Sequence, residues 1–194
     1  MSEQDLIVRC QKGDTAAFEQ LIHKYEKQVI NTAYKMFGNP EDAYDMAQEV
    51  FLKVYRQLET FHMQSSFSTW LYRITANVCL DELRKRKRRI NPVSLTVEDD
   101  EQLSELPVSD DSASPETIAQ KHELSRVIQQ AISELDDEYR IVITLREIDG
   151  LDYQAISEVL GISLGTTKSR ISRARRQLKE KLMQYRELFD FDSV

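Results

Sequence analysis

The sequence predicts an all-α protein of two small helical domains joined by an acidic flexible linker, with a helix-turn-helix in the second domain. Glycine and proline are scarce, 5 and 4 residues out of 194, and long runs free of both favour helices over short strands. Apolar residues make up 41% of the chain, enough for one ordinary domain or two small ones with separate cores. We place the first domain at residues 1–90, the linker at 91–115 and the second domain at 116–194.

The first domain is expected to open with two helices. A short helix spans about residues 3–12 and is ended by Gly13. Asp14 or Thr15 can cap the next helix, which runs to about Phe37. The glycine therefore marks a sharp break between two helices.

The third helix has a strong start signal. Asn39 can accept hydrogen bonds from the free amides of the first turn, Pro40 suits the first helical position, and the acids that follow favour the positive helix end. A helical wheel gives a core face of Ala43, Met46, Ala47, Val50, Val54, Leu58 and Phe61. The opposite face is polar and includes Asp45, Gln48, Glu49 and Arg56.

Leu52 lies within that polar face and admits two interpretations. Single exposed leucines are common on ordinary protein surfaces and need no function. Alternatively, Leu52 is the apolar anchor of a docking surface, on which Asp45 and Glu49 supply charge complementarity to a partner. The residues alone leave both interpretations open.

The fourth helix, expected from about Ser66 to Arg89, joins a buried stripe to a basic face. The stripe consists of Phe67, Leu71, Ile74 and Val78, with Trp70 at its margin. The basic face aligns Arg73, Asn77, Arg84 and Arg88 and leads into six successive cations at residues 84–89, Lys85 among them. Phe61 and Tyr72 add further aromatic rings nearby. Single-stranded nucleic acid needs rings for its bases and cations for its phosphates; the alternative is an ordinary core beside a solvated helix end.

Charge is segregated along the chain in a way that the formal net charge of -7 conceals. Residues 91–120 contain eight Asp or Glu and no Lys or Arg, directly after the six-cation run. This stretch concentrates proline and serine and lacks any helical or alternating apolar period, so we interpret it as a linker. It is either a soluble spacer or an acidic strand that competes with nucleic acid for the basic surfaces.

The second domain is expected to contain a helix-turn-helix. Helices over residues 117–135 and 137–148 come first, and Asp149 with Gly150 stops the second of them. A short helix then begins after Asp152 and ends at Gly161, and Ser163 caps a longer basic helix after a very short turn. A short helix, a glycine-containing turn and a longer helix are the pattern of a helix-turn-helix.

The last helix turns cations and hydroxyls away from its apolar side. Five cations fall within the twelve residues 166–177, and no acid lies between Ser163 and Lys179. The outer face carries Thr166, Ser169, Ser172, Arg173 and Arg176, with Lys168 and Arg170 at its flanks. Arginine can bond guanine edges, and serine and threonine can reach bases or phosphates. We predict a DNA-reading helix; the alternative is the solvated face of an ordinary amphipathic helix.

Other functional classes find little support in the sequence. Cys10 and Cys79 have neither zinc-site spacing nor disulfide density, so we expect buried free thiols. The acids Glu41, Asp42, Asp45 and Glu49 form no ligand pattern with His23, His62 and His122, and no glycine loop for phosphate is present. We therefore expect no metal, cofactor, small-molecule substrate or enzyme activity. Without a signal-peptide core or a membrane-length apolar run, we expect a cytoplasmic protein.

Four motifs resemble those of the extracytoplasmic-function (ECF) group of bacterial RNA polymerase sigma factors. They occur in the same order as in that family and span nearly the whole chain. They are Asp45-x-x-Gln48-Glu49-x-Phe51, Phe67-x-Thr69-Trp70-Leu71-Tyr72-Arg73-Ile74, Leu145-Arg146-Glu147 and Gly165-Thr166-x-Lys168-Ser169-Arg170. Two positions depart from the family pattern. The loop FHMQSSF lacks the basic residue and glycine that relatives often carry, and Thr167 occupies a usually aliphatic site, where we expect it to pack through its methyl group.

The resemblance implies a role for each surface. It assigns Asp45, Gln48, Glu49 and Leu52 to polymerase docking. It assigns Phe61 and Asn77 to holding a flipped-out base of the minus-ten element, with Trp70, Arg73, Arg84, Lys85 and Arg88 in the same DNA-binding surface. Lys168, Ser169, Ser172 and Arg173 match groove-facing positions of the minus-thirty-five reader, and Arg146, Thr166, Arg170 and Arg176 would contact phosphates.

The resemblance also implies partners: core RNA polymerase, promoter DNA and an anti-sigma factor, in a stress-response setting. Such a protein would lower the cost of strand opening by capturing unstacked bases, each worth roughly 1 to 3 kcal/mol when stacked on an aromatic ring. The competing hypothesis is a helix-turn-helix transcription regulator that binds duplex DNA without docking to polymerase. That hypothesis leaves Leu52 and the aromatic, basic fourth helix without a role.

Overall fold

The computed structural model describes residues 2–90 and 115–188 of the chain. All regular secondary structure within those residues is helical, so the predicted all-α class is confirmed. The predicted linker 91–115 lies, apart from its last residue, outside the described residues. Among the helices that the structure describes, none is both long and apolar enough to cross a membrane.

The first unit contains four α-helices: α1 (Glu3–Gln11), α2 (Thr15–Phe37), α3 (Pro40–Gln57) and α4 (Phe67–Ile90). A short 3-10 turn, Leu58–Thr60, follows α3. The predicted caps are present, because Asp14 accepts a hydrogen bond from the amide of Ala17 and Asn39 accepts from the amides of Glu41 and Asp42. Local sequence signals therefore set these helix starts.

The core of the first unit lies between α1 and the inner faces of α2, α3 and α4. Its largest fully buried side chains are Leu21, Val29, Val50, Val54, Phe67 and Leu71. The predicted inner face of α3 is confirmed, with Ala43, Ala47, Val50 and Val54 all buried and Met46 packed against them. This packing leaves the opposite face of α3 turned to solvent.

The second unit contains α5 (Pro115–Ser133), α6 (Asp137–Ile143), α7 (Tyr153–Leu160) and α8 (Leu164–Leu182), and a 3-10 segment, Met183–Leu188, follows. After α6 the helix widens into a π turn over Thr144–Ile148, where the amide of Asp149 bonds the carbonyl of Thr144. The helix-turn-helix is confirmed as α7, the turn at Gly161 and α8. Thr167 is fully buried, as predicted, and its hydroxyl bonds the Ser163 carbonyl.

Both cysteines are free thiols, as the sequence predicts. Cys79 is buried, whereas Cys10 is only partly so. Burial raises the pKa of the Cys79 thiol to about 12, so this group is protonated at neutral pH. Cys79 therefore acts as a small apolar side chain in the core.

The two units pack against each other, an arrangement that the sequence did not predict. One buried cluster draws Ala33, Met36, Ala43, Tyr72, Ala76 and Cys79 from the first unit. From the second unit it draws Ile132, Leu135, Ile141, Leu145, Ile156, Val159, Ile171 and others. Helices α2 and α4 of the first unit thus form one continuous core with α5 to α8, and we call this contact the unit junction.

Polar groups of the second unit cap the carboxyl end of α2 across the unit junction. The Nε2 atom of Gln129 donates to the carbonyls of Tyr34 and Lys35, at 3.3 Å each. The Nη1 atom of Arg140 donates to the Met36 carbonyl at 2.7 Å. The last carbonyls of a helix lack partners within the helix and carry partial negative charge, so an amide and a cation both suit this position.

Candidate binding surfaces

The outer face of α3 is an exposed mixture of apolar and acidic side chains. Leu52 is 51% exposed, and the neighbouring Tyr44 and Tyr55 are 48% and 50% exposed. Asp45 and Gln48 are exposed beside them, while Glu49 is half-buried and lies 4.0 Å from Lys53. The predicted docking residues therefore share one surface, which we call the α3 surface.

Sequence reasoning missed Tyr44 and Tyr55 as members of the α3 surface. Both lie on the same side of the helical wheel as Gln48, so their positions carried a usable signal. Tyrosine is enriched at energetically important interface positions because it offers a large apolar ring with a polar tip. Three large apolar side chains on one exposed face favour the docking interpretation of Leu52 over a chance exposed leucine.

Three aromatic rings cluster where the chain passes from the 3-10 turn into α4. The ring centroids of Phe61 and Trp70 are 4.9 Å apart, and Phe67 lies 5.8 Å from Phe61 and 5.6 Å from Trp70. Phe61 is only 5% exposed and Phe67 is buried, whereas Trp70 is partly exposed. In this structure Phe61 is therefore a buried member of the cluster, and Trp70 is its partly exposed ring.

The predicted minus-ten cations lie along α4 in different surroundings. Arg73 donates from Nη2 to the carbonyl of Glu158 in α7 at 3.0 Å, so it takes part in the unit junction. Asn77 is exposed one turn further on. Arg84 and Lys85 are exposed and pair with acids one turn earlier in α4, and the Nε of Arg88 donates to the Arg84 carbonyl.

Two cations of the same run have tertiary partners. Arg86 forms two hydrogen bonds, of 2.8 and 2.6 Å, with the carboxylate of Asp42 at the start of α3. The bonds to Asp42 raise the pKa of the Arg86 guanidinium further above its ordinary range. Lys87 reaches Asp137 of the second unit at 2.8 Å. Arg86 therefore fastens α4 to α3, which leaves Arg84, Lys85 and Arg88 as the outward members of the predicted set.

Helix α8 presents its predicted outer face to solvent. Lys168, Ser169, Ser172, Arg173 and Arg176 are exposed on this face. The helix begins at Ser163, whose hydroxyl accepts from the amide of Thr166 at 3.0 Å and also bonds the Thr166 hydroxyl. An exposed helix of cations and hydroxyls behind a short turn is the arrangement by which a helix-turn-helix enters a major groove.

Two predicted phosphate contacts are held by partners inside the second unit. Arg170 is half-buried and pairs with Glu138 at 2.7 Å. Arg146 donates to the carbonyl of Leu151 at 2.8 Å and lies over the ring of Tyr153, 5.0 Å from its centroid. Arg146 thus fixes the turn that leads into α7.

A partly buried acid, Asp149, joins the two units at the unit junction. The carboxylate of Asp149 accepts a hydrogen bond of 3.0 Å from the hydroxyl of Thr32, which is fully buried in α2. Burial raises the pKa of Asp149 to about 6, although the Thr32 bond acts in the opposite direction. The pKa of Tyr72 in α4 is also raised, chiefly by burial and further by the negative charge of Asp149.

Comparison with known proteins matches both units. Residues 21–89 match the family described as Sigma-70 region 2, and residues 125–178 match Sigma-70, region 4. The chain is 37% identical over 180 residues to RNA polymerase sigma-H factor of Pseudomonas aeruginosa, covering 93% of each chain. It is 38% identical over 177 residues to the ECF RNA polymerase sigma factor SigW of Bacillus subtilis, covering 91% of this chain and 94% of that protein.

Two solved structures share the fold. CnrH, in complex with the cytosolic domain of CnrY, has a TM-score of 0.67 at 25% identity, covering 94% of this chain and 97% of that chain. The sigma factor RpoE of Bartonella quintana, in complex with the anti-sigma factor NepR, has a TM-score of 0.63 at 23% identity. That second match covers 86% of this chain and 96% of RpoE, and it supports the fold alone.

Proposed function

The chain belongs to the ECF RNA polymerase sigma factors, and from that premise we propose how its surfaces direct core RNA polymerase to promoters. Sigma factors are transcription initiation factors rather than enzymes, so we assign the chain no catalysis, cofactor or small-molecule substrate. Its place of action is the cytoplasm.

Residues 1–90 form the polymerase-docking and minus-ten domain, residues 91–115 form the linker, and residues 116–194 form the minus-thirty-five domain. The observation that carries the proposal is that one chain exposes both the apolar α3 surface and the cationic face of α8.

The first domain docks on polymerase and captures the opened strand. Leu52 fills an apolar site on the polymerase, and Asp45, Gln48 and Glu49 surround it with polar and acidic groups that favour a basic partner. On the adjoining helix α4, bases stack on Trp70, the partly exposed ring of the cluster that it forms with the buried Phe61 and Phe67. Arg73, Asn77, Arg84, Lys85 and Arg88 contact the bases and backbone of the minus-ten element.

The second domain reads intact duplex. Lys168, Ser169, Ser172 and Arg173 enter the major groove of the minus-thirty-five element from α8, while Arg146, Thr166, Arg170 and Arg176 contact phosphates. Each domain binds DNA weakly when alone. Because both are carried on one chain and held on one polymerase, the second contact benefits from a high effective concentration.

An anti-sigma factor is a further partner in this proposal. CnrH, at 25% identity and a TM-score of 0.67, was solved in complex with the cytosolic domain of CnrY. A protein that covers the α3 surface would block polymerase docking, and one that covers α8 would block promoter reading. Release from such a partner would connect promoter activity to a stress signal.

Open-complex formation tests the function as a whole. We expect the protein, mixed with core RNA polymerase and a library of promoter fragments, to retain fragments that share two sequence elements. On those fragments, permanganate should detect unpaired thymines only when both the protein and polymerase are present. Failure to open any retained promoter, together with polymerase-independent duplex binding, would favour a helix-turn-helix regulator that acts without polymerase docking.

Neutralising single arginines of α8 separates phosphate contacts from base contacts. We expect Arg176→Gln to weaken binding to all duplexes alike and to reduce the slope of log affinity against log salt by about 1. Arg173→Gln should instead relax discrimination at one base pair, by about 1 to 3 kcal/mol. Both effects are measured by titrating selected minus-thirty-five duplexes and their single-base variants at several salt concentrations.

Arg175→Gln is the matched control for these substitutions. It removes the same charge from the same helix, but Arg175 lies outside the assigned outer face of α8, where it pairs with Glu147 at 2.6 Å. A loss of affinity in Arg175→Gln as large as in Arg176→Gln would show that only total charge matters, and the assigned face of α8 would be wrong.

A further inference from the structure

Gln11, the last residue of α1, has no role in the proposed function, yet its side chain makes two long-range hydrogen bonds. Its Nε2 atom donates to the carbonyl of Leu58 at 3.0 Å and to the carbonyl of Phe61 at 2.9 Å. A side-chain amide nitrogen has two N–H groups, so this geometry satisfies both donors at once. The contact is partly buried and joins residues 47 and 50 positions apart in the chain.

The two carbonyls bracket the 3-10 turn that precedes the aromatic cluster. The amide of Phe61 closes the turn by bonding the Leu58 carbonyl, which Gln11 also contacts. Gln11 therefore fixes the end of the turn and the first residue of the segment that follows, residues 61–66, which we call the strand loop. This contact sets where the backbone of Phe61 lies, and thereby where its ring meets Trp70 at 4.9 Å.

The strand loop is anchored at both ends and strained between them. At its far end, the hydroxyl of Ser66 accepts from the amide of Thr69 and so caps α4. Between the anchors, Met63 has a φ of +54°, in the left-handed region that residues other than glycine seldom adopt. Such a conformation persists only when its surroundings hold it. Gln11 is the long-range anchor on the amino-terminal side of Met63.

We propose that Gln11 is a positioning residue for capture of the minus-ten strand, acting through the backbone of Leu58 and Phe61 on the strand loop and on Trp70. This inference rests on the proposed function, because it presumes that the strand binds at the aromatic cluster. It extends the DNA-binding machinery to α1, which precedes the residues 21–89 that match Sigma-70 region 2.

Contacts other than those of Gln11 hold α1 in place, so a Gln11 variant can lose the positioning of the strand loop without losing the fold. Leu6 and Ile7 are buried against the core of the first unit. The hydroxyl of Tyr25 in α2 donates to the carboxylate of Glu3, and Arg9 pairs with Asp14 at 2.6 Å. Loss of the Gln11 donors should therefore leave α1 docked while releasing the strand loop.

The test replaces Gln11 by methionine, which has nearly the same length and no N–H donor, in the full chain bound to core polymerase. The probe is a single-stranded oligonucleotide that carries the minus-ten sequence recovered from wild-type promoter selection. We expect its affinity to fall about tenfold, the scale of one weakened base stack. The fluorescence of Trp70, the single tryptophan of the chain, should change in the free protein because the ring loses its fixed neighbour. Polymerase affinity and binding to the minus-thirty-five duplex should be unchanged.

Tyr25→Phe is the matched control, since it removes a different polar contact of α1 and keeps the ring that packs on Phe67. It should bind the oligonucleotide like the wild type. Gln11→Ala is a second variant, and circular dichroism melting fixes a temperature at which every protein compared is folded. Unchanged oligonucleotide affinity in both Gln11 variants, or an equal loss in Tyr25→Phe, overturns the inference while the proposed function stands. If the wild type itself fails to bind the oligonucleotide, the proposed strand capture and this inference fall together.

Discussion

Replacing Leu52 by aspartate is expected to lower the affinity for core RNA polymerase by about 100-fold or more, the loss typical of a hot-spot residue. Leu52 is 51% exposed and shares the α3 surface with Tyr44 and Tyr55, so it is the aliphatic anchor assigned to docking. An aspartate there would bury an unpaired charge in the docked complex, beside acids already present at Asp45 and Glu49. Because Leu52 is half exposed and belongs to neither buried cluster, we expect little effect on folding. Binding of labelled protein to core polymerase measures the loss.

Val8→Asp is the control for this prediction. Val8 is 40% exposed on α1, so the substitution adds the same charge at a comparably exposed apolar side chain outside the α3 surface. It should leave polymerase affinity within about threefold of the wild type, as expected for a surface site away from the interface. If Val8→Asp and Leu52→Asp lost affinity equally, general charge repulsion would explain both, and Leu52 would not be the anchor.

Local signals in the sequence predict much of this fold. Asp14 and Asn39 begin helices because their short oxygen-bearing side chains reach free amides two or three residues ahead, a contact decided within one turn. Gly161 ends α7 with a φ of +63°, a conformation that glycine adopts without steric cost. Such features depend on neighbours in the chain, so the chain order alone reveals them.

The binding surfaces were predictable only in part, for the same physical reason. Periodicity separates the outer face of α8 from its core, but it cannot show that Arg170 meets Glu138, or that Arg146 lies on Tyr153. Those contacts arise from packing of elements distant in sequence. Gln11 is a similar case, since nothing near it in the chain predicts carbonyl partners 47 and 50 residues away.

The unit junction has consequences for promoter binding that no local pattern could reveal. Arg73 donates a hydrogen bond to the Glu158 carbonyl. While the two units are packed together, this donor is therefore not available to a DNA phosphate. Helix α7 of the helix-turn-helix lies against α4, the helix assigned to the minus-ten element. The α3 surface, by contrast, stays exposed in the same structure. We call the chain closed when its two units are packed together and open when they are apart. We therefore expect the closed chain to dock on polymerase, and the two units to separate before both promoter elements are bound.

Acidity should control how readily the unit junction opens. The pKa of Asp149 rises from an ordinary 3.8 to about 6 in the closed arrangement, chiefly through burial, so the closed chain binds a proton that the open chain releases. This stabilisation is complete below the open-chain pKa and is lost as the pH rises through about 6. The difference of about two pKa units sets an upper bound of about 3 kcal/mol, or about 100-fold in the opening equilibrium, which is reached when opening returns Asp149 fully to water. Energy transfer between dyes on α3 and α8, followed across this pH range, measures it.

Asp149→Asn should fix the closed arrangement at neutral pH and remove most of this pH dependence. An asparagine carbonyl can still accept the Thr32 hydroxyl, but it carries no charge to desolvate when the units close. Asp152→Asn is the matched control, because it removes one charge from the same unit at a helix cap that asparagine serves equally well. The energy transfer between the dyes, measured between about pH 4 and 6, is the test. If it changed with pH in Asp149→Asn and in Asp152→Asn just as it does in the wild type, the titrating group would be a residue other than Asp149. A shift confined to Asp149→Asn would instead tie promoter access to the protonation of this one partly buried carboxylate at the unit junction.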